Sequence, residues 1–295
     1  MIRYGFFWRR SLRIRGTSSI RTFAAESMVW RVVGLIESQL QFSGHNRSTQ
    51  AASELKAVEG YAAECSMVKV FASEMLDYVV DEGVQIHGGY GYHQDYAVER
   101  AYRDSRINRI FEGTNEINRL LITGMLLKRA ARGQLALIAA VQAVLNATPN
   151  QIANAPMNDA ELRLVKSAKK IALMMIGIAF QKYREELEKQ QEILMHLSDI
   201  VIEVFAMESA LLRSRKLARS GKGANAAEMT SIFLRDAMNR VEISARNIIG
   251  PCSAGEGLER NMATLRLLAN YDPIDSIQLR RNIAIRLLAT GSYAL

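Results

Sequence analysis

A glutamate stands at the mouth of a helix in the stretch Ile110-Phe111-Glu112-Gly113-Thr114-Asn115-Glu116-Ile117. Thr114 has the side chain of an N-cap, and Glu116 falls in the first turn of the helix that follows, where a negative charge is favoured. Glu112 therefore sits just ahead of a helix start, between apolar Ile110 and Phe111 on one side and the open space left by Gly113 on the other. The helix N-terminus favours its carboxylate. Desolvation by an apolar ligand would raise its pKa toward neutrality. A carboxylate poised between those effects can act as a general base once a substrate closes over it. Taken alone, a loop glutamate is more often just a solvated surface group, and at this point both readings stand.

The second stretch with chemical content is Gln85-Ile86-His87-Gly88-Gly89-Tyr90-Gly91-Tyr92. Three glycines in four positions directly after a long helix give helix-ending geometry and remove side-chain bulk, so a pyrophosphate or a ring could approach the backbone closely. The same glycines also make an ordinary helix–helix turn. They are not a dinucleotide fingerprint, because the third glycine is absent and the run follows a helix instead of a strand. Between the two stretches, Asp95–Arg109 carries seven charges in fifteen residues and reads as a solvated helix with internal ion pairs. His45, His87, His93 and His196 have no metal-ligand spacing, so no metal site is expected. Cys65 and Cys252 lie far apart and read as reduced thiols in a core. Ser220-Gly221-Lys222-Gly223 lacks the leading glycine and the Ser/Thr of a phosphate loop.

The elements that must position these residues are helical. Apolar residues recur three and four apart at Leu55, Val58, Ala62, Cys65, Val68, Ala72, Met75 and Val79, which predicts a long amphipathic helix over 53–86. The same pattern predicts helices over 20–42, 96–108, 114–131, 134–145, 159–188, 191–219, 225–249, 256–270 and 276–289. No alternating strand pattern bounded by hairpin turns is present, so the fold class is all-α: an up-down helical bundle followed by a second helical bundle. Pro149, Pro156, Pro251 and Pro273 fall between periodic segments, where they end helices. The charge-free, Asn-rich stretch 146–158 reads as a linker. The domains expected are 20–131 and 159–295, joined by a short helix and linker over 132–158.

Composition narrows the class further. With 295 residues, 49% hydrophobic and 23% charged, the chain is neither disordered nor disulfide-stapled. Five of the 38 basic residues lie in residues 1–19, which hold no acid. The net charge of +8 is therefore concentrated at one end, and the balanced remainder gives no reason to expect nucleic-acid binding. Residues 1–19, Arg- and Ser-rich with Phe6, Phe7 and Trp8, read as a mitochondrial-type targeting segment or as a stretch unrelated to the rest. The longest apolar runs, Leu135–Leu145 and Ile171–Phe180, are about half of what a bilayer requires.

In order and spacing, QIHGGYGY, VERAYRDSRI and IFEGTNEINRLL resemble the carboxyl-terminal α-helical domain of acyl-CoA dehydrogenases, and Ile20–Leu40 is similar to the helix upstream of it. The resemblance covers 20–131. Residues 132–295 resemble the helical extension of the very-long-chain branch and its bacterial relatives. It implies FAD-dependent α,β-desaturation of a fatty acyl-CoA, within fatty-acid β-oxidation. Glu112 matches the catalytic base and Gly113 the neighbouring substrate contact. Thr114, Asn115 and Glu116 match positions touching FAD, and Gln85, Ile86, His87, Gly88 and Gly89 match the segment that contacts the FAD of a neighbouring subunit. It further implies reoxidation by an electron-transfer flavoprotein, a homodimer or homotetramer, and a bacterial cytoplasmic location, or the mitochondrial matrix if residues 1–19 are a presequence. Phe111 stands where some members carry Tyr.

The chain also departs from the family pattern: nothing in it corresponds to the amino-terminal helical domain or the middle β-domain, which supply most of the acyl pocket and flavin cradle. The expectation is that this chain by itself does not turn over substrate. A second class is a non-catalytic helical interaction protein, as with the acyl-CoA-dehydrogenase-like assembly factor of respiratory complex I. A third reading gives the extension a membrane-surface role, with Lys166, Lys169, Lys170 and Lys182 flanking apolar Ile171–Phe180.

Overall fold

A computed structural model describes residues 2–42, 50–148, 151, 159–221, 223–291 and 293. The centre of the 146–158 linker, with Pro149 and Pro156, lies outside the described residues, as do His45 and Lys222. Among the described residues the chain is helical, with no strand. The helices are α1 (Ile2–Phe42), α2 (Gln50–Gly60), α3 (Ala62–His87), α4 (Gly89–Tyr92), α5 (Ala97–Ser105), α6 (Asn115–Ala131), α7 (Leu137–Leu145), α8 (Ala160–Tyr183), α9 (Gln191–Arg219), α10 (Ala224–Cys252), α11 (Gly255–Leu268) and α12 (Ser276–Thr290). Short 3-10 turns follow α5 (Arg106–Arg109) and α8 (Arg184–Lys189).

The all-α expectation holds; the first helix, expected over 20–42, begins at Ile2, and three further local differences have physical reasons. The long helix expected over 53–86 is divided at Tyr61, which has φ −111° and ψ 20°. The preceding Gly60 carbonyl accepts a hydrogen bond from Arg129 of α6 at 2.5 Å, an outside partner that lets the helix break there. The charged segment ends in a 3-10 turn instead of continuing as α-helix to 108. Pro251 corrects the reading that every proline lies between helices, because it is the penultimate residue of α10. A proline that close to the C-terminus removes one backbone donor and then stops the helix.

Helix starts follow side-chain chemistry. Asp159 caps α8 by accepting from the Leu162 amide at 2.9 Å, and Asp275 caps α12 by accepting from the Gln278 amide at 2.9 Å. The apolar stripes then pack into one core. It includes Phe23 and Met28 of α1, Met67 and Val70 of α3 and Ile122 of α6, and runs on through Ile171 and Met175 of α8, Ile200 and Met207 of α9, and Phe233 and Val241 of α10. Phe71 of α3 meets Phe233 of α10 edge to face, with ring centroids 6.0 Å apart. Helix α1 contacts α3, α9, α10 and α12, and Leu12, Ile14 and Gly16 in its first half are buried. A Cβ on Gly16 would fall 2.2 Å from the Arg280 carbonyl oxygen, so α1 and α12 touch backbone to backbone.

Candidate functional site

The Glu112 turn is built by three successive constraints. The 3-10 turn Arg106–Arg109 closes with the Ile110 and Phe111 amides both donating to the Ile107 carbonyl, at 2.9 and 3.1 Å. Glu112 then adopts φ +57° and Gly113 φ +78°. A left-handed conformation is natural for glycine and costs a glutamate on the order of 1 kcal/mol, so the surroundings must enforce it. Finally Thr114 caps α6, its hydroxyl accepting from the Ile117 amide at 3.3 Å.

The enforcing groups come from α3 and α6. The Lys69 ammonium donates to the Gly113 carbonyl at 2.7 Å and to Asn115 Oδ1 at 2.8 Å. Asn118 Nδ2 donates to the same Gly113 carbonyl at 2.8 Å. Asn115 is 2% exposed, and its amide group is occupied: Nδ2 donates to Ser73 Oγ at 3.0 Å and to Glu74 Oε1 at 3.1 Å. Glu74 in turn takes both ends of the Arg119 guanidinium, at 2.7 and 3.0 Å, and Arg119 Nε reaches Asp199 of α9 at 2.7 Å. A continuous polar path thus runs from α9, through α6 and α3, to the residue beside Glu112.

Electrostatics along that path are set by burial and pairing together. Burial works against the Arg119 charge, but the hydrogen bonds and charges of Glu74 and Asp199 outweigh it and hold the guanidinium more firmly protonated than usual. Burial pushes the Asp199 carboxyl above the usual carboxylate range, and Arg119 offsets this only in part. Burial pushes Lys69 below the usual lysine range against the opposing pull of Glu116, Glu74 and Glu112. Glu116 is held low by its own backbone amide and by the Thr114 hydroxyl, as the first turn of a helix dictates.

Glu112 itself is exposed in this chain, and so are its apolar neighbours Ile107, Ile110, Phe111, Ile117 and Leu121. The carboxylate is therefore open to solvent in this chain, with exposed apolar side chains on the two residues that precede it. Thr114 is half-buried and Glu116 exposed, so of the three positions matched to FAD only Asn115 is sequestered.

The glycine-rich turn lies elsewhere on the molecule. Helix α3 runs through Gln85 and Ile86 to His87, whose Nδ1 pairs with the Gly83 carbonyl at 2.8 Å. Gly88, with φ +60°, then reverses the chain into α4. Gly88 and Gly89 are exposed, and a Cβ on either would meet nothing within 4 Å, so their backbone faces open space. The Glu112 turn is fastened to α3 at Lys69–Glu74, and Gln85 lies about 16 Å further along that helix. Gln85–Gly89 and Glu112–Glu116 are not brought together within one chain.

Two hollows flank these features. An open groove of about 870 Å³ beside the glycine turn is lined by Asp77, Asp81, Tyr92, His93, Arg103 and Arg106. A smaller cavity of about 310 Å³ lies between α1, α3, α6, α9 and α10 and includes Arg21, Glu74, Arg119, Asp199 and Arg240. Glu112 lines neither. Among the described residues no group of His, Cys, Asp or Glu could hold a metal ion, and no helix is long and apolar enough to cross a membrane.

Lys69, Ser73, Glu74, Asn118, Arg119 and Asp199 were not legible as site residues. The one sequence signal was a lysine and a glutamate set into the helix that also carries the apolar stripe of α3.

Two family models match the chain, both described as acyl-CoA dehydrogenase, C-terminal domain: one over residues 16–127 and one over 167–267. The chain belongs to the acyl-CoA dehydrogenase family. A probable acyl-CoA dehydrogenase of Bacillus subtilis (strain 168) is 44% identical over 287 residues, covering 95% of this chain and 48% of that protein. The crystal structure of an acyl-CoA dehydrogenase complexed with FAD from Bacillus anthracis superposes with a TM-score of 0.91 at 40% identity, over 96% of this chain and 49% of that one. The caffeyl-CoA reductase–Etf complex subunit CarC of Acetobacterium woodii is 47% identical over 79 residues, 27% of this chain and 21% of that protein. The chain thus spans about half the length of the first two. Both of its helical halves carry family sequence, and the first match begins at residue 16, inside α1.

Proposed function

We propose that this chain carries the base and part of the cofactor site of an FAD-dependent acyl-CoA dehydrogenase. The observation that carries this reading is the 0.91 TM-score to a family member complexed with FAD, over nearly the whole chain. In this reading Glu112 removes the proton from the carbon alpha to the thioester carbonyl of a fatty acyl-CoA. A bound FAD would supply the hydride acceptor for the beta carbon, so that the product of the proton abstraction would be a trans-2-enoyl-CoA. Gly113 lets the substrate approach without a side chain in the way. The exposed apolar side chains of Ile110 and Phe111 supply walls that exclude water once a substrate and a covering element close over them.

The residues present fit part of a flavin site. The open backbone of Gly88 and Gly89 and the exposed Gln85 and His87 suit contact with an FAD held mainly by a neighbouring subunit, as in a homodimer or tetramer. Glu116 is exposed at the start of α6 and Thr114 half-exposed there, so a cofactor could reach them, although the Thr114 hydroxyl already caps the helix. The Asn115 amide is occupied internally and would act through its backbone or by holding the turn. Electrons would leave to an electron-transfer flavoprotein, a partner whose class appears in the name of the Acetobacterium woodii relative. The bacterial relatives support a bacterial cytoplasmic setting.

The test has two arms. The purified chain, given FAD and a fatty acyl-CoA, is expected to bind flavin substoichiometrically and not to reduce a dye acceptor. Joined behind the front half of the Bacillus subtilis relative, it is expected to desaturate acyl-CoA, and Glu112→Gln in that protein to lower turnover by about 10²–10⁴-fold. Undiminished turnover in the amide variant would remove Glu112 as the base. Absence of any flavin binding or turnover in the joined protein would favour the non-catalytic interaction role, for which the exposed apolar surface around Glu112 is the natural docking face.

A further inference from the structure

We infer that Lys69 is the positioning residue for the Glu112 turn, holding the base in place from the neighbouring helix. The inference rests on the reading of Glu112 as base, and the geometry is independent of it. Lys69 lies in the third turn of α3, forty-four residues before the carbonyl it binds, so its hydrogen bond to Gly113 ties the turn to a separate element. The other donor to that carbonyl, Asn118, sits on the same helix that the turn begins and cannot fix the turn against α3.

Three observations converge on the ammonium. It bridges two acceptors on consecutive sides of the Thr114 cap, Gly113 O and Asn115 Oδ1, and so clamps the chain just after Glu112. The carbonyl it binds is that of Gly113, the second of two successive residues with left-handed backbone, the first being Glu112. Burial works against the ammonium charge, and the carboxylates of Glu116, Glu74 and Glu112 oppose that loss in part; a charged donor makes a stronger bond than a neutral one. Methionine at this position would leave the Gly113 carbonyl with Asn118 alone and the Asn115 carboxamide oxygen with only Ser73 Oγ, at 3.3 Å.

Hydrogen exchange on the full chain tests this directly, because Phe111, Ile117 and Asn118 each donate to an acceptor of the turn, at 3.1, 3.3 and 2.9 Å. Lys69→Met is expected to speed exchange at these amides by about tenfold or more while α10 amides keep their rates. Lys69→Arg, which retains a charged donor, is expected to restore at least half of the protection. If Lys69→Met melts as a whole, Lys69→Gln replaces it under the same criterion. Unchanged exchange at the turn, or no rescue by arginine, overturns the inference.

A second readout separates positioning from mere stability. In the joined enzyme Lys69→Met is expected to lower kcat by about 10–100-fold with KM little changed, as a misplaced base would. Loss of kcat and KM in parallel with melting would overturn the positioning role. Failure of the base assignment shows differently, as full turnover in Glu112→Gln with the Lys69 exchange result intact.

Discussion

At the scale of single residues the most informative feature is Glu112, a glutamate held at φ +57°. Its strain is maintained by bonds to its neighbours and not by any bond of its own in this chain, the arrangement expected where conformation serves chemistry at some cost in stability. Glu112→Gly should therefore raise the stability of the chain by about 0.5–1 kcal/mol in urea unfolding, provided no contact of the carboxylate is lost. A decrease would show that the glutamate contributes contacts outweighing its strain. The cap at Thr114 and the position of Glu112 just before a helix were legible from residue types alone, because capping is local. Lys69 was not, because its partner is forty-four residues away and only folding brings the two together. Asn115 shows the converse: a position matched to a cofactor contact is 2% exposed once α3 packs against α6.

At the scale of elements, the contact between α6 and α9 is held by groups that compensate one another. Thr123 Oγ1 and Ser198 Oγ pair at 2.5 Å, and the Ser198 hydroxyl donates to the Arg119 carbonyl at 2.5 Å. The Arg119 side chain is 13% exposed, while Glu74 and Asp199 keep 39% and 35% exposure. Arg119→Leu should cost about 2–3 kcal/mol in chemical unfolding, below the value for fully buried pairs because both stranded carboxylates retain water. It should also speed exchange in the Glu112 turn, since Glu74 is the next link in the path. A second tie joins α1, α8 and α9, where Glu208 accepts from Arg31 at 2.8 Å and from Lys169. Burial would raise the Glu208 pKa, but these two partners lower it below the usual glutamate value. A depressed carboxylate contributes stability above its unfolded pKa and loses it as pH falls through the folded one. Tm of the chain should thus fall between pH 5 and pH 3 by more than that of Glu208→Gln. Parallel curves would assign the acid sensitivity to other groups.

At the scale of the whole molecule, one core runs through helices from both sides of the linker. The charge-free, two-proline stretch 146–158 marks a break in helical periodicity, and such a break does not say which faces meet afterwards. Phe71 and Phe233 meet edge to face across that break, with Phe233 1% exposed. Phe233→Ala should therefore cost about 3–5 kcal/mol, and α3 and α10 should lose protection in a single transition. Two separate transitions would mean that the halves are independent units despite their shared core. The exposed apolar residues are also a property of the whole: Trp30 at 64% and Phe111 at 47% exposure lie on faces that this chain does not cover.

What the sequence determined by itself was the helical class, the position of most helices to within a few residues, the cap at Thr114, and the placement of Glu112 at a helix mouth. These follow from apolar periodicity and capping, which depend on neighbours within a turn or two. What only the tertiary structure decided was how that glutamate is held: the left-handed turn, the Lys69 clamp, the Arg119 bridge to α9, and the separation of the glycine turn from it along α3. Each depends on side chains that meet only when helices distant in sequence pack, and no periodicity within one helix encodes that meeting.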